Sequence, residues 1–212
     1  MSRLAIIGLA AAAALAVAPS TVRADTAPAA AVHYYVSLGD SLAAGEQLAT
    51  NENSDFPHGS QLADAVSFLH AHGGFVSFVT IDIGGGAVAI QANLPVILGA
   101  LREAAGPDVP IVGMSYYSPR LAEWFGDPAS LPARVVGVVA FNDLLEGIYG
   151  AAGDPVADVE SAFSTTDTTP VGGVPLDVLR ICQWTWTCVA GNLHPNDDGY
   201  AVIAHAFEDA LP

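Results

Sequence analysis

Apolar and polar positions change rhythm several times along the 212-residue chain. From His33 to Leu38 the run contains Tyr34, Tyr35 and Val36, which predict a strand, and Gly39-Asp40-Ser41 closes it as a turn. Residues 46–59 are polar and rich in Asn, Asp, Pro and Gly, and predict a loop. Gln61 to His72 sets Leu62, Ala65, Val66 and Leu69 at helical spacing. Phe75 to Ile83 is mostly apolar and predicts a buried strand, closed by Gly84-Gly85-Gly86. Ala89 to Ala105 predicts a helix in which Pro95 sits near the first turn or kinks it, and Gly106-Pro107 ends it. Val109 to Tyr117 predicts another strand, and Leu121 to Phe125 a helical turn. Arg134 to Tyr149 fits two patterns. Val135, Val136, Val138 and Val139 favour a strand, whereas Val135, Val138, Leu145, Ile148 and Tyr149 share a helical face; helix is the reading adopted. Pro155 to Val159 predicts a short strand and Gly199 to Leu211 an amphipathic helix. Strands alternating with helices predict an α/β domain with a mainly parallel sheet. Ligands of such sheets bind at the carboxyl ends of the strands. Ser41 and the triple glycine both fall just past such ends.

The first 24 residues change this picture. Arg3 precedes an apolar run, Leu4 to Ala18, which Pro19-Ser20-Thr21 breaks before Val22-Arg23-Ala24. That order predicts a secretory signal peptide over 1–24, and hence a secreted protein. The alternative is an N-terminal membrane anchor, for which the run is short against the ~20 apolar residues of a spanning helix. Residues 25–32 are an Ala- and Pro-rich flexible leader, and 33–212 form the folded domain. No later stretch reads as membrane-spanning, so no stable membrane insertion is expected once the leader is cleaved.

Charge narrows the partners. There are 22 acids against 6 bases, a net charge of −16. Cleavage after Ala24 removes Arg3 and Arg23 but no acid, leaving 188 residues at −18. Nucleic acid is not expected as a partner, and an anionic membrane surface is disfavoured, because both need clustered Lys and Arg. A pocket with so few bases also disfavours strongly anionic ligands. Cys182 and Cys188, with five residues between them, predict a disulfide closing a tight loop. No metal cluster is evident, and no cofactor is expected.

Two segments carry chemistry. Leu38-Gly39-Asp40-Ser41-Leu42 puts a serine at a strand end, where it can act as a nucleophile given a base within reach, or serve merely as a turn serine. Asn192-Leu193-His194-Pro195-Asn196-Asp197-Asp198-Gly199-Tyr200 holds His194 in a loop before the last helix, which Asp197 or Asp198 would cap. His33, His58, His70, His72 and His205 have no comparable setting.

Together these segments resemble the GDSL, or SGNH, family of serine ester hydrolases, of the exported actinobacterial type. Leu38 to Leu42 is similar to its nucleophile block and His194 to the histidine of its last block. Phe78 to Gly84, Ile111 to Tyr117 and Ile181 to Cys188 are similar to segments between them. The resemblance implies a flavodoxin-like three-layer α/β/α sandwich. It also implies a Ser41 nucleophile, a His194 base, an acyl-enzyme, and a small-molecule or lipid ester as substrate.

The chain departs from that pattern at three places. Gly86 stands where the family has an oxyanion asparagine, leaving the backbone N–H groups of Ser41 and Gly86 as the expected donors, with those of Gly84 and Gly85 as further candidates. Asn192 stands where an aspartate would orient His194. The span Leu42 to Ser60 is too short for a crossover helix and a second strand, since a crossover takes at least ~10–12 residues. One strand and one helix are therefore expected to be missing, with the first strand left at a sheet edge. One oxyanion donor is worth ~10²–10³ in turnover. The expectation is a weakened esterase; the alternative is a non-catalytic binding protein on a hydrolase fold. A further alternative takes Gly84 to Ala89 as a dinucleotide-binding turn, with Glu103 as the ribose-binding acid.

Overall fold

In the computed structural model, residues 33–44, 56–84 and 86–212 are described. The expected signal peptide (1–24), the leader (25–32) and most of the 46–59 loop lie outside the described residues. The first strand, β1 (Tyr34–Gly39), is followed by helix α1 (Gln61–Ala71), strand β2 (Val76–Asp82), helix α2 (Ala87–Ala105) and strand β3 (Ile111–Met114). A 3-10 segment (Pro119–Phe125) then leads to helix α3 (Leu131–Ala152) and strand β4 (Val156–Ala157). Among the described residues strands β1 to β4 form a four-stranded parallel sheet in chain order, with β1 at one edge, so the protein is a mixed α/β fold.

Alternation along the strands sends side chains to two cores. Leu38, Val79, Ile81 and Ile111 pack with Leu69 of α1, Leu94, Leu98 and Leu101 of α2, and Leu145 and Tyr149 of α3. Val112 and Met114 face the opposite way, among residues from the C-terminal part of the chain. That part contains helix α4 (Val159–Ala162), a hairpin of β5 (Pro170–Val171) and β6 (Val174–Pro175), and helices α5 (Leu176–Trp184), α6 (Thr187–Ala190) and α7 (Asp197–Ala210). Val178 and Ile181 of α5 and Ile203 and Ala206 of α7 complete the second core.

Several boundaries differ from expectation for local reasons. β3 spans four residues rather than the whole of 109–117. Beyond it, the Asn142 side chain accepts the Tyr116 N–H (2.8 Å) and donates to the Tyr116 carbonyl (2.9 Å), taking both groups out of the ladder. Pro95 lies inside α2, nine residues along, rather than in its first turn. α7 is capped by Asn196, whose side chain accepts the Gly199 N–H at 3.0 Å; Asp197 and Asp198 occupy the first helical turn instead. The β5–β6 hairpin is absent from the sequence reading although Gly172-Gly173, both at positive φ, is a strong two-residue turn signal. Helix α5 was likewise not anticipated.

The valine-rich ambiguity resolves as α3, which begins three residues earlier than the pattern suggested, with Pro132 in its first turn. The span Pro128–Ala152 is long and apolar enough to cross a membrane by length and composition, at mean hydropathy 1.3, a property the sequence reading did not assign to any later stretch. In the fold its Leu131, Val138, Asn142, Leu145 and Tyr149 are buried. Cys182 and Cys188 are disulfide-bonded, with Cα atoms 5.1 Å apart, tying α5 to α6.

Candidate active site

The serine turn is built by carboxylates. Asp40 turns its side chain back so that Oδ1 accepts the Leu42 N–H at 2.9 Å, an Asx-type turn around Ser41. Its Oδ2 accepts the Gly84 N–H at 2.9 Å and the Tyr116 hydroxyl at 3.2 Å. The ends of β1 and β2 and the segment after β3 are thereby joined at one point. From below, Asp82 at the end of β2 accepts the Asp40 N–H at 3.1 Å. Asp82 is buried, and its carboxyl is pushed up to about 8, first by loss of hydration and second by the nearby Asp40 charge.

Gly39 allows this approach. A Cβ there would lie 1.4 Å from Asp82 Oδ1. On its other side the Gln61 side chain donates to the Gly39 carbonyl and accepts the Gly39 N–H, both at 3.0 Å. One amide thus replaces the pair of bonds a neighbouring strand would make at the sheet edge.

His194 is carried by the loop between α6 and α7 and is buried. Its Nε2 lies 2.8 Å from Ser41 Oγ, across 153 residues of sequence. Its Nδ1 lies 2.8 Å from Asn192 Oδ1, which also accepts the His194 backbone N–H at 2.9 Å. That second bond fixes the amide: only the carbonyl oxygen of Asn192 can accept a backbone N–H. The imidazole Nδ1 must then be the donor, leaving the Nε2 lone pair for the serine hydroxyl. Asn192 therefore sets the tautomer a general base requires, without supplying negative charge.

Around this chain the loop is held at several points. Trp186 N–H donates to the His194 carbonyl (3.0 Å), the Thr187 hydroxyl to the Asn192 carbonyl (3.3 Å) and the Tyr117 hydroxyl to the Leu193 carbonyl (3.0 Å). Tyr117 is itself fixed by stacking on Phe163, with ring centroids 4.5 Å apart, and burial raises its hydroxyl far above its ordinary range, so it remains a donor. Tyr117→Phe is expected to cost about 1 kcal/mol of stability, the worth of one such bond. Thermal melting beside the parent protein checks this number.

The structure brings together Ser41, His194 and Asn192 of the sequence-derived candidates. Gly86 is placed at the start of α2 in an extended conformation, and its carbonyl accepts the N–H groups of Ala89 and Ile90. Gly84 is withdrawn as an oxyanion donor, because Asp40 already takes its N–H. The same carboxylate beside the glycine turn opposes a diphosphate there by like-charge repulsion, and Glu103 lies within α2 rather than after a strand. Gly85 lies outside the described residues. Cys182 and Cys188 line a groove that also reaches Gly191 and Leu193 of the His194 loop. Of the other described histidines, His58, His72 and His205 bond within their own segments, to Asp64, the Phe68 carbonyl and Glu208.

Asp82, Gln61, Asn142, Tyr116 and Tyr117 were missed as site residues. Their signal was faint: an aspartate inside an otherwise apolar strand, and an asparagine in an apolar helix, each a polar group that burial obliges to find a partner.

A cleft of about 850 Å³ adjoins the site. Its walls include Gly84 and Tyr116, both bonded to Asp40, Leu193 next to His194, and Val138 and Phe141 of α3. Arg120 and Arg134 also line it, each paired with Glu123, so the cleft is less depleted of bases than the composition implied. Among the described residues no group of three His, Cys, Asp or Glu side chains is placed to hold a metal. No family model, curated protein or solved structure matches this chain.

Proposed function

We propose that the protein is a serine ester hydrolase in which Ser41 is the nucleophile, His194 the general base and Asn192 the residue that orients it. The carrying observation is the Ser41–His194–Asn192 hydrogen-bond chain, with both contacts at 2.8 Å. In this reading the Ser41 hydroxyl attacks an ester carbonyl as its proton passes to His194 Nε2. His194 then protonates the leaving alcohol, and water releases the acid from the acyl-enzyme by the reverse route. Backbone N–H groups of Ser41 and Gly86 are the proposed oxyanion donors. The apolar wall formed by Val138, Phe141 and Leu193 suits the acyl chain of a small-molecule or lipid ester.

The likeness to GDSL/SGNH hydrolases supports the same reading. Among the described residues β1 lies at the sheet edge, where Gln61 bonds its last residue, and this supports a flavodoxin-like sandwich that lacks one strand and one helix of the family. Export is the proposed setting, supported by the N-terminal pattern and the Cys182–Cys188 disulfide.

A second reading, a non-catalytic binding protein on this fold, draws on one observation. The turn after β2 offers no asparagine side chain at Gly86, and the Gly84 N–H is occupied. Hydrolysis of p-nitrophenyl acetate and butyrate, measured beside Ser41→Ala, decides between them. Under the esterase reading the substitution lowers turnover at least ~10³-fold, and a fluorophosphonate labels Ser41. Turnover that survives in Ser41→Ala removes Ser41 as nucleophile. Absence of both turnover and label in the parent protein favours the binding reading instead.

A further inference from the structure

Asp82 is a buried carboxyl that the proposed mechanism does not use, and it sits directly beneath the nucleophile. We propose that Asp82 is a positioning residue for Ser41: its side chain fastens the turn that carries the hydroxyl by accepting the backbone N–H of the residue directly before it. The inference rests on the esterase reading for its catalytic consequence, but not for its geometry. Asp82 Oδ1 takes the Asp40 N–H at 3.1 Å. The turn is pressed onto Asp82 closely enough that Gly39 has no room for a side chain.

The arrangement works with a neutral Asp82. The titratable groups around it are the Asp40 carboxylate from the β1 turn, Tyr35 from β1, Tyr116 and Tyr117 from the segment after β3, Tyr149 from α3 and Tyr200 from α7. None of these carries positive charge. Burial and the Asp40 charge hold the Asp82 carboxyl at about 8, so it is protonated at neutral pH and ionises in mildly alkaline solution. Ionisation would set two carboxylates against each other across the turn. A carboxyl raised on folding gives its full stabilisation below the ordinary carboxylate range, and this is lost as pH rises through about 8. Turn geometry should loosen over the same alkaline window.

The test uses Asp82→Asn, which keeps an acceptor oxygen and cannot ionise, and Asp82→Ala, which removes the acceptor. For p-nitrophenyl butyrate, kcat of the parent protein should fall above pH 8. Asp82→Asn should keep kcat within about threefold at pH 7 and lose that alkaline fall. Asp82→Ala should lower kcat about ten- to a hundredfold, the scale of a small misplacement of a reacting group, with KM little changed. Independently of turnover, the backbone amide NMR signal of Asp40 should titrate near pH 8 in the parent protein and not in Asp82→Asn. The melting temperature should decline more steeply between pH 4 and 8 in the parent than in Asp82→Asn.

If no variant hydrolyses ester but the amide titration appears, the esterase reading fails and the fastening role stands. An Asp40 amide that does not titrate overturns the proposal. So does an alkaline fall that persists in Asp82→Asn, even if Asp82→Ala does not fold.

Discussion

Asn192→Asp is expected to raise kcat for p-nitrophenyl butyrate by about tenfold to a thousandfold. The reasoning starts from what Asn192 already does. Its Oδ1 accepts both the His194 backbone N–H and the imidazole Nδ1–H, so the tautomer is correct before any substitution. Under the proposed mechanism, what is absent is negative charge beside the imidazolium that would form as Ser41 gives up its proton. In a serine triad, replacing the orienting aspartate by asparagine costs ~10⁴, part of it through the wrong tautomer. Here that part is not lost, so the recoverable gain is smaller than the full figure. A carboxylate fits the same two donors without rearrangement, since it only accepts. Asn192→Leu, which removes the acceptor, should lower kcat in the opposite direction. Steady-state kinetics of both variants check the pair. Identical rates for Asn192→Asp and the parent would mean that proton transfer through His194 does not limit turnover.

The largest expected effect on stability comes from Gly39→Ala. Strands β1 and β2 pair Gly39 with Asp82. An added Cβ would lie 1.4 Å from Asp82 Oδ1 and 2.1 Å from the Asp82 main-chain oxygen. Neither atom can move away cheaply, because one belongs to the sheet backbone and the other holds the Asp40 N–H. A clash of this kind belongs to the rare class of substitutions costing more than about 4 kcal/mol. For a domain of this size that lowers the melting temperature by at least about 8 °C. Gly99→Ala is the control. Gly99 is exposed within α2, and a Cβ there meets no atom within 4 Å. It should stabilise the protein by up to about 1 kcal/mol, the helix preference of alanine over glycine. Thermal melts of the two variants under identical conditions give the contrast. A Gly39→Ala protein that melts with the parent would exclude the close packing of the Ser41 turn on Asp82.

The same glycine separates what sequence and fold each contribute. A serine after Gly39-Asp40 at a strand end, and a histidine before the last helix, are local patterns. Their residue types state what each can do chemically, so both were legible without a structure. The alternation of β-favouring runs with helical spacing likewise specified a parallel α/β sheet, because burial on two faces leaves its period in the chain. Asn192 was legible too, being fixed two residues from His194.

Other features depend on contacts between distant segments. Asp40 meets Gly84 and Tyr116 across 44 and 76 residues, and Tyr117 reaches Leu193 across 76. No periodicity encodes such pairings. Whether a hydroxyl or carboxyl finds a partner is set by where its strand lies in the sheet. The end of β3 shows this, since Asn142 on a neighbouring helix removes the Tyr116 backbone groups from the ladder. Gln61 likewise satisfies the β1 edge from the start of α1. The sequence by itself determined the α/β class and the two segments that bear Ser41 and His194, and the resemblance offered Asn192 as the candidate beside the latter. Only the tertiary structure decided that these loops meet, that Asp82 lies beneath the serine, and that Gly84 is spent on Asp40. The physical reason is that hydrophobic period is a local property of the chain, whereas burial and the hydrogen bonds it enforces belong to the packed whole.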